Sequence, residues 1–158
     1  MKLIGPSLWF DGRALEAAEF YVSVFPNSEI LSVSRYLEAM PGPTGSVMTV
    51  RFVLDGQEFE AINGGPQFSF TPAVSFGVEC GSQDEIDALW KKLTDGGREE
   101  QCGWLVDRFG LSWQVTPVGL YEMLTSTDTA AAERAAAAML GMAKLDISEL
   151  ERAFAGGA

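Results

Sequence analysis

Histidine is missing from all 158 residues. With it go the Ser–His and Cys–His nucleophile pairs, the usual general base near neutral pH, and the commonest ligand of zinc, nickel or iron. Any chemistry must rest on carboxylates, thiols, tyrosine, lysine or a bound group, and all-carboxylate binding of magnesium or calcium stays open. Cysteine is scarce. Cys80 and Cys102 stand far apart, which fits buried thiols in a reducing compartment better than a disulfide framework. Positive charge is scarce too: 11 Lys and Arg against 22 Asp and Glu leave a net charge of −11. That charge repels phosphate backbones and anionic lipid, so nucleic acid is not an expected partner, whereas a cationic ligand would be attracted. Long apolar runs are absent. Gly5-Pro6 breaks the amino-terminal segment before it reaches signal-peptide length, and no stretch approaches the roughly 20 residues of a membrane span. The expectation is a cytoplasmic protein with no membrane partner.

What is present is globular. The chain is 47% hydrophobic, with 10 Phe, 4 Trp and 3 Tyr, and is long enough for one domain or for two half-size modules sharing a core. The organising stretch runs from Gly103 to Pro117. Trp104–Val106 reads as a strand. Asp107-Arg108-Phe109-Gly110 is a reversal, in which Asp accepts a local N–H and Gly supplies φ > 0. The next strand alternates, with Trp113 and Val115 on one face and Ser112, Gln114 and Thr116 on the other.

The same grammar appears twice. Leu3–Phe10 is strand-like, and Asp11 is placed to cap a helix over 13–25, where Ala14, Ala17, Ala18, Tyr21, Val24 and Phe25 recur at helical spacing. Glu29–Tyr36 alternates as a strand. The segment 38–46, with Pro41-Gly42-Pro43, is a loop expected to be mobile. Val47–Leu54 and Glu58–Ile62 flank Asp55-Gly56, a type I′ hairpin signal. After a connector, Ala73–Cys80 is a strand. Ser82-Gln83-Asp84-Glu85 is a capping box, and Ile86, Leu89, Trp90 and Leu93 form one helical stripe. Strands at 98–102, 104–106 and 111–116 complete a second β-α-β-β-β pattern. The predicted architecture is α+β, with two βαβββ modules at about 3–64 and 73–117 within residues 1–117. A single curved four-stranded sheet cannot cover both faces, so two sheets should pair, within the chain or between chains.

Residues 118–158 form a separate helical tail: a short helix at 120–124, an Ala-rich one from Ala130 to Leu140, and a last one capped by Asp146 or Ser148. Met139, Leu140, Met142, Leu145, Ile147 and Leu150 give it an apolar face that needs a cover, either a dimer mate or the outer face of the sheets.

Several segments coincide in order: Leu8-Trp9-Phe10-Asp11-Gly12, Phe25-Pro26-Asn27-Ser28, Gly45-Ser46-Val47-Met48, Asn63-Gly64-Gly65-Pro66, Ala73-Val74-Ser75-Phe76, and Cys102-Gly103-Trp104-Leu105 through Gln114-Val115. Over about residues 3–117 they closely resemble the PhnB-like proteins, the 3-demethylubiquinone-9 3-methyltransferase domain family. That family lies within the vicinal oxygen chelate superfamily, which takes in glyoxalases, bleomycin resistance proteins and dioxygenases. The tail segment Met139–Asp146 is similar to that family as well. The resemblance implies the glyoxalase/bleomycin resistance fold. It also implies a divalent metal held by His, Glu or Gln side chains from the first and last strand of each module. Here the matching last-strand position is Gln114. The fifth-strand His position falls near Ala73, the fourth strand offers Glu60 or Asn63, the first offers Pro6 or Ser7, and the position after Asn-Gly-Gly-Pro is Gln67. That set leaves at most two ligands, so no metal and no cofactor are expected. The methyltransferase name would require a nucleotide-binding βαβ unit with a Gly-rich turn, and none is visible.

Two functions follow as expectations. One is a metal-free homodimer whose aromatic-lined pocket binds a small hydrophobic or cationic molecule. Trp9, Glu60, Asn63, Phe76, Trp104, Trp113 and Gln114 are its candidate lining residues. The other is an enzyme of the same superfamily, either a metal-dependent lyase or dioxygenase, or the methyltransferase of the family name. Glu60 desolvated beside aromatics would serve as a base, and Cys102 as a nucleophile if Arg98 or Arg108 activates it. Asp107 is read as a turn stabiliser.

Overall fold

The structure, a computed structural model, describes residues 4–157. The chain divides into two compact units, Met1–Phe70 and Thr71–Ala158.

The first unit runs β1 (Ser7–Phe10), α1 (Ala14–Val24), β2 (Glu29–Arg35), β3 (Val47–Leu54) and β4 (Gln57–Asn63). Its sheet has the order β1-β4-β3-β2. The β1–β4 pair is parallel and the rest antiparallel. Asp55 and Gly56 both take positive φ, 42° and 85°, as a type I′ turn requires, and so set the β3–β4 register. Register then sorts the side chains. Leu8, Ala61 and Val50 lie in one row and Phe52 sits opposite Phe59, all buried. On this face the α1 ring of Tyr21 stacks 6.3 Å from Phe52, which stacks 5.4 Å from Phe59. Ala17 and Ala18 are fully buried, and their small side chains let the helix lie close to the strands.

Asp11 takes no part in capping α1. The residue before the helix is Arg13, with no side-chain cap. The Ala14 N–H donates instead to Asn63 Oδ1 at 2.9 Å, while Asn63 Nδ2 donates to the Val47 carbonyl at 3.0 Å. A β4 side chain thus meets one of the orphan donors that every helix start leaves. The two ends of the 38–46 loop are joined by hydrogen bonds at Tyr36. Tyr36 N–H donates to the Ser46 carbonyl, the Gly45 N–H to the Tyr36 carbonyl, and the Tyr36 hydroxyl to the Asn63 carbonyl at 2.5 Å.

The second unit repeats the plan with β5 (Ser75–Cys80), α2 (Gln83–Thr94), β6 (Arg98–Glu99), β7 (Trp104–Val106) and β8 (Ser112–Pro117) in the order β5-β8-β7-β6. Half of the capping box forms, with Glu85 N–H donating to Ser82 Oγ at 3.3 Å, while Glu85 Oε2 accepts from Gly81 N–H, one residue before the cap, at 2.7 Å. β6 is shorter than its sequence suggests. Residues 101–103 turn away because Cys102 and Gly103 take φ of 61° and 80°, which ends regular pairing. At the β7–β8 reversal, Asp107 is 3% exposed and accepts from Phe109 N–H (2.8 Å), Leu111 N–H (3.1 Å) and Trp113 Nε1–H (2.9 Å).

The tail belongs to this second unit. Helices α3 (Leu120–Leu124), α4 (Thr129–Leu140) and α5 (Ile147–Ala155) close over a small core of Leu120, Met142, Leu145 and Leu150. Asp128 and Asp146 cap α4 and α5 through Ala131 and Glu149 N–H. Leu145 and Leu150 are thus covered by the tail's own helices, the 101–103 turn and α2, while Leu140 stays 60% exposed.

Candidate functional site

Helix α1 leaves the other face of the first sheet open. Register places Ser7, Glu60 and Arg51 in one row of that face and Trp9, Ile62 and Thr49 in the next. Trp9 is half-buried. Its indole N–H donates to the Gly65 carbonyl at 2.8 Å, and its ring meets Phe68 edge-on at 5.1 Å. The glycines of the Asn63-Gly64-Gly65-Pro66 connector permit this packing. A Cβ on Gly64 would lie 2.1 Å from the indole ring, and Gly65 takes φ of 100°. Glu60 lines a shallow recess of about 200 Å³ with Gly5, Pro6, Ser7, Arg51, Glu58 and Phe59. Arg51 is committed to Glu58 at 2.7 Å, whereas Glu60 has Ser7 Oγ at 3.4 Å. Asn63 lies on the opposite, helix-facing side, where its amide is used by α1 and β3.

The second sheet repeats the arrangement. Gln114 pairs with Gly77 on β5 and Trp104 on β7, on the face opposite α2. Its Nε2 donates to Ser75 Oγ at 2.8 Å. A Cβ built on Gly77 meets nothing within 4 Å, so there is space beside Gln114. Ser112 shares this face and pairs with Ser75. Its hydroxyl is buried without a hydrogen-bond partner among the described residues, which leaves an unmet bond on the face. Trp113 and Phe76 lie on the opposite, helix-facing side, their rings 5.6 Å apart. Trp113 is 2% exposed. Trp113 is core and Phe76 is half-buried beside it, and both are on the face away from Gln114 and Trp104.

Thiol activation finds no support in the geometry. Arg108 pairs with Asp95, and Arg98 with Glu100. Both cysteines are free. Burial, with Glu85 nearby adding repulsion, pushes the Cys80 thiol up, so it stays protonated and unreactive at neutral pH. Native alkylation with iodoacetamide should spare Cys80 and modify it only on unfolding, as peptide mass mapping would show.

The donor set does not fit the superfamily's divalent metal. Among the described residues no three His, Cys, Asp or Glu side chains converge to hold an ion. At the matching position Gln114 offers only a neutral amide oxygen, a weak ligand for a divalent ion. Ser75 and Gly77 carry no signal of their own in the sequence; alternation puts them on the face opposite Phe76, and the β5–β8 register brings them to Gln114.

The family model of the 3-demethylubiquinone-9 3-methyltransferases matches residues 2–116. The chain belongs to that family. The PhnB protein of Bacillus cereus, which carries the same methyltransferase name, is 41% identical. The match covers 74% of this chain and all of that one, with a TM-score of 0.68. Protein PA1353 of Pseudomonas aeruginosa is 22% identical over 74% of this chain and 98% of its own, with a TM-score of 0.57. The fosfomycin resistance protein FosX of Listeria monocytogenes, in a structure with Mn(II) and sulfate, is 13% identical over 73% and 88%, with a TM-score of 0.52. FosX and PA1353 establish the fold, the glyoxalase/bleomycin resistance fold. No curated protein matches the chain. Among the described residues no helix of this PhnB-like protein is long and apolar enough to cross a membrane.

Proposed function

We propose that this PhnB-like chain is a metal-free homodimer that binds a small molecule with an apolar body and a cationic group on the open sheet faces. Glu60 carries the reading. It is a carboxylate in a recess, and its hydrogen-bond contact, Ser7 Oγ at 3.4 Å, is longer than a good O–H···O bond. A ligand ammonium or guanidinium would gain a charge-assisted bond there, with Trp9 alongside to receive its apolar or cationic part. The net charge of −11 draws such a ligand in. The recess of about 200 Å³ is smaller than the roughly 300–1,000 Å³ of typical ligand cavities. A second copy laid over this face supplies the missing walls. Gln114 Oε1, left over by the Nε2 bond to Ser75, gives the second face an acceptor of its own beside Trp104.

The test is native mass spectrometry with elemental analysis on protein purified without chelator or immobilised metal, followed by titration with a cationic aromatic dye. The expected result is a metal-free dimer that binds the dye. Glu60→Gln should then weaken the dye by roughly tenfold or more, the equivalent of losing a charged hydrogen bond of about 1.5–3 kcal/mol. A monomer, one tightly held divalent ion per chain, or an unchanged affinity in Glu60→Gln would overturn the corresponding part.

A further inference from the structure

We infer that the tail segment Met142–Leu145 is a strap that sets the conformation of residues 102–104 and thereby positions Trp104 on the open face of the second sheet. The turn before Trp104 is not in a conformation that the chain adopts for its own sake. Cys102 stands at φ 61°, a left-handed conformation that costs a non-glycine residue roughly 1–2 kcal/mol. The Cys102 and Gly103 N–H groups have no strand partner. They donate to the Met142 and Ala143 carbonyls, both at 2.8 Å, so the tail takes the place of a neighbouring strand. Gly103 is wedged on its other side as well: its carbonyl accepts from Val115 N–H at 2.8 Å. A Cβ there would sit 2.7 Å from the Val115 carbonyl oxygen and 3.1 Å from Leu145 Cδ1.

The strap is in turn fastened to α2. Gln83 Nε2 donates to the Leu145 carbonyl at 3.1 Å, and Gln83 Oε1 accepts the Ile147 N–H, the first of α5, at 2.9 Å. One helix turn on, Asp87 pairs with Lys144 and accepts from Gln83 at 3.0 Å. Leu145 itself is fully buried. One α2 side chain therefore reaches Trp104 through three links: Gln83 to the strap, the strap to the 102–103 amides, and those amides to the next residue. The strap itself lies beyond residue 116, where the match of the family model ends. Gln83 is a positioning residue for Trp104, and its bearing on ligand binding rests on the function proposed above.

The experiment uses the full-length chain labelled with nitrogen-15, with no ligand, so its outcome is independent of whether anything binds. Four tryptophans give four indole resonances, and Trp9 in the first unit is an internal control. In Gln83→Ala, and more so in Gln83→Ala/Lys144→Ala, the Trp104 indole signal should move. Hydrogen exchange at the Cys102 and Gly103 amides should quicken at least tenfold, while Trp9 and the β8 amides stay as in the wild type. Gln83→Glu keeps the acceptor for Ile147 and should restore part of the wild-type pattern. Faster exchange at 142–147 with an unmoved Trp104 signal would overturn the strap. So would uniform acceleration across β5–β8, or a double variant indistinguishable from wild type.

Discussion

Replacing Asp107 with Ala will lower stability by about 3–5 kcal/mol, roughly 10 °C or more in Tm for a chain of this length. The carboxylate is 3% exposed, and three donors converge on it: the Phe109 and Leu111 amides and the Trp113 indole. Truncation strands all three, and two of them lie where water does not replace the lost acceptor. Each stranded buried donor costs about 1–3 kcal/mol. The damage should spread along β8, because Trp113 is held from both ends, by Asp107 at its indole and by Leu105 across the ladder. Asp107→Asn retains one acceptor oxygen but turns an N–H₂ toward donors, so about half the loss is expected. Urea unfolding of both variants, followed by near-ultraviolet circular dichroism, measures the difference. Equal stability for wild type and Asp107→Ala would mean that the turn is held by backbone alone.

Gly64→Ala should cost about 2–3 kcal/mol and displace the Trp9 ring. The added methyl would overlap three indole atoms at 2.1, 2.2 and 2.4 Å, so the ring must leave. With it go the Nε1–H bond to Gly65, worth about 1 kcal/mol, and the edge contact with Phe68, worth about as much. Gly56→Ala is the fitting comparison. It also sits in a turn, at φ 85°, but with nothing within 4 Å of a built Cβ, so it carries only the left-handed backbone penalty of about 1–2 kcal/mol. The distinguishing readout is the Trp9 indole resonance, expected to shift in Gly64→Ala and to stay put in Gly56→Ala. Loss of dye binding in Gly64→Ala alone would tie Trp9 to the proposed ligand face. An unshifted Trp9 signal in Gly64→Ala would show that the connector, rather than the indole, gives way.

Most elements were legible from local signals, and those signals explain why. Tyr21 and its neighbours at three- and four-residue steps announce α1, Ser82 with Glu85 announces the start of α2, and Asp55-Gly56 specifies a two-residue turn. The alternation from Ser112 to Thr116 already separated Gln114 from Trp113. Placing Trp113 and Phe76 among the pocket candidates runs against that same alternation, and the structure follows the alternation: both lie on the helix side, Trp113 buried and Phe76 half-buried. Asp11 was a reasonable helix cap by residue type, yet the bond is made by Asn63, 49 positions from its partner.

By itself the sequence determined the duplicated β-α-β-β-β order, the family, and the poverty of metal donors, because periodicity, turn chemistry and the absence of histidine are properties of neighbouring residues and of composition. Only the tertiary structure decided which side chain caps α1, that the Gln114 amide is bonded to Ser75, that Glu60 lines a recess, and that the tail folds back onto Gln83 and the 102–103 amides. Each of these depends on groups that strand pairing or helix docking brings together from positions far apart in the chain, and no local pattern encodes which distant partner will meet a given donor.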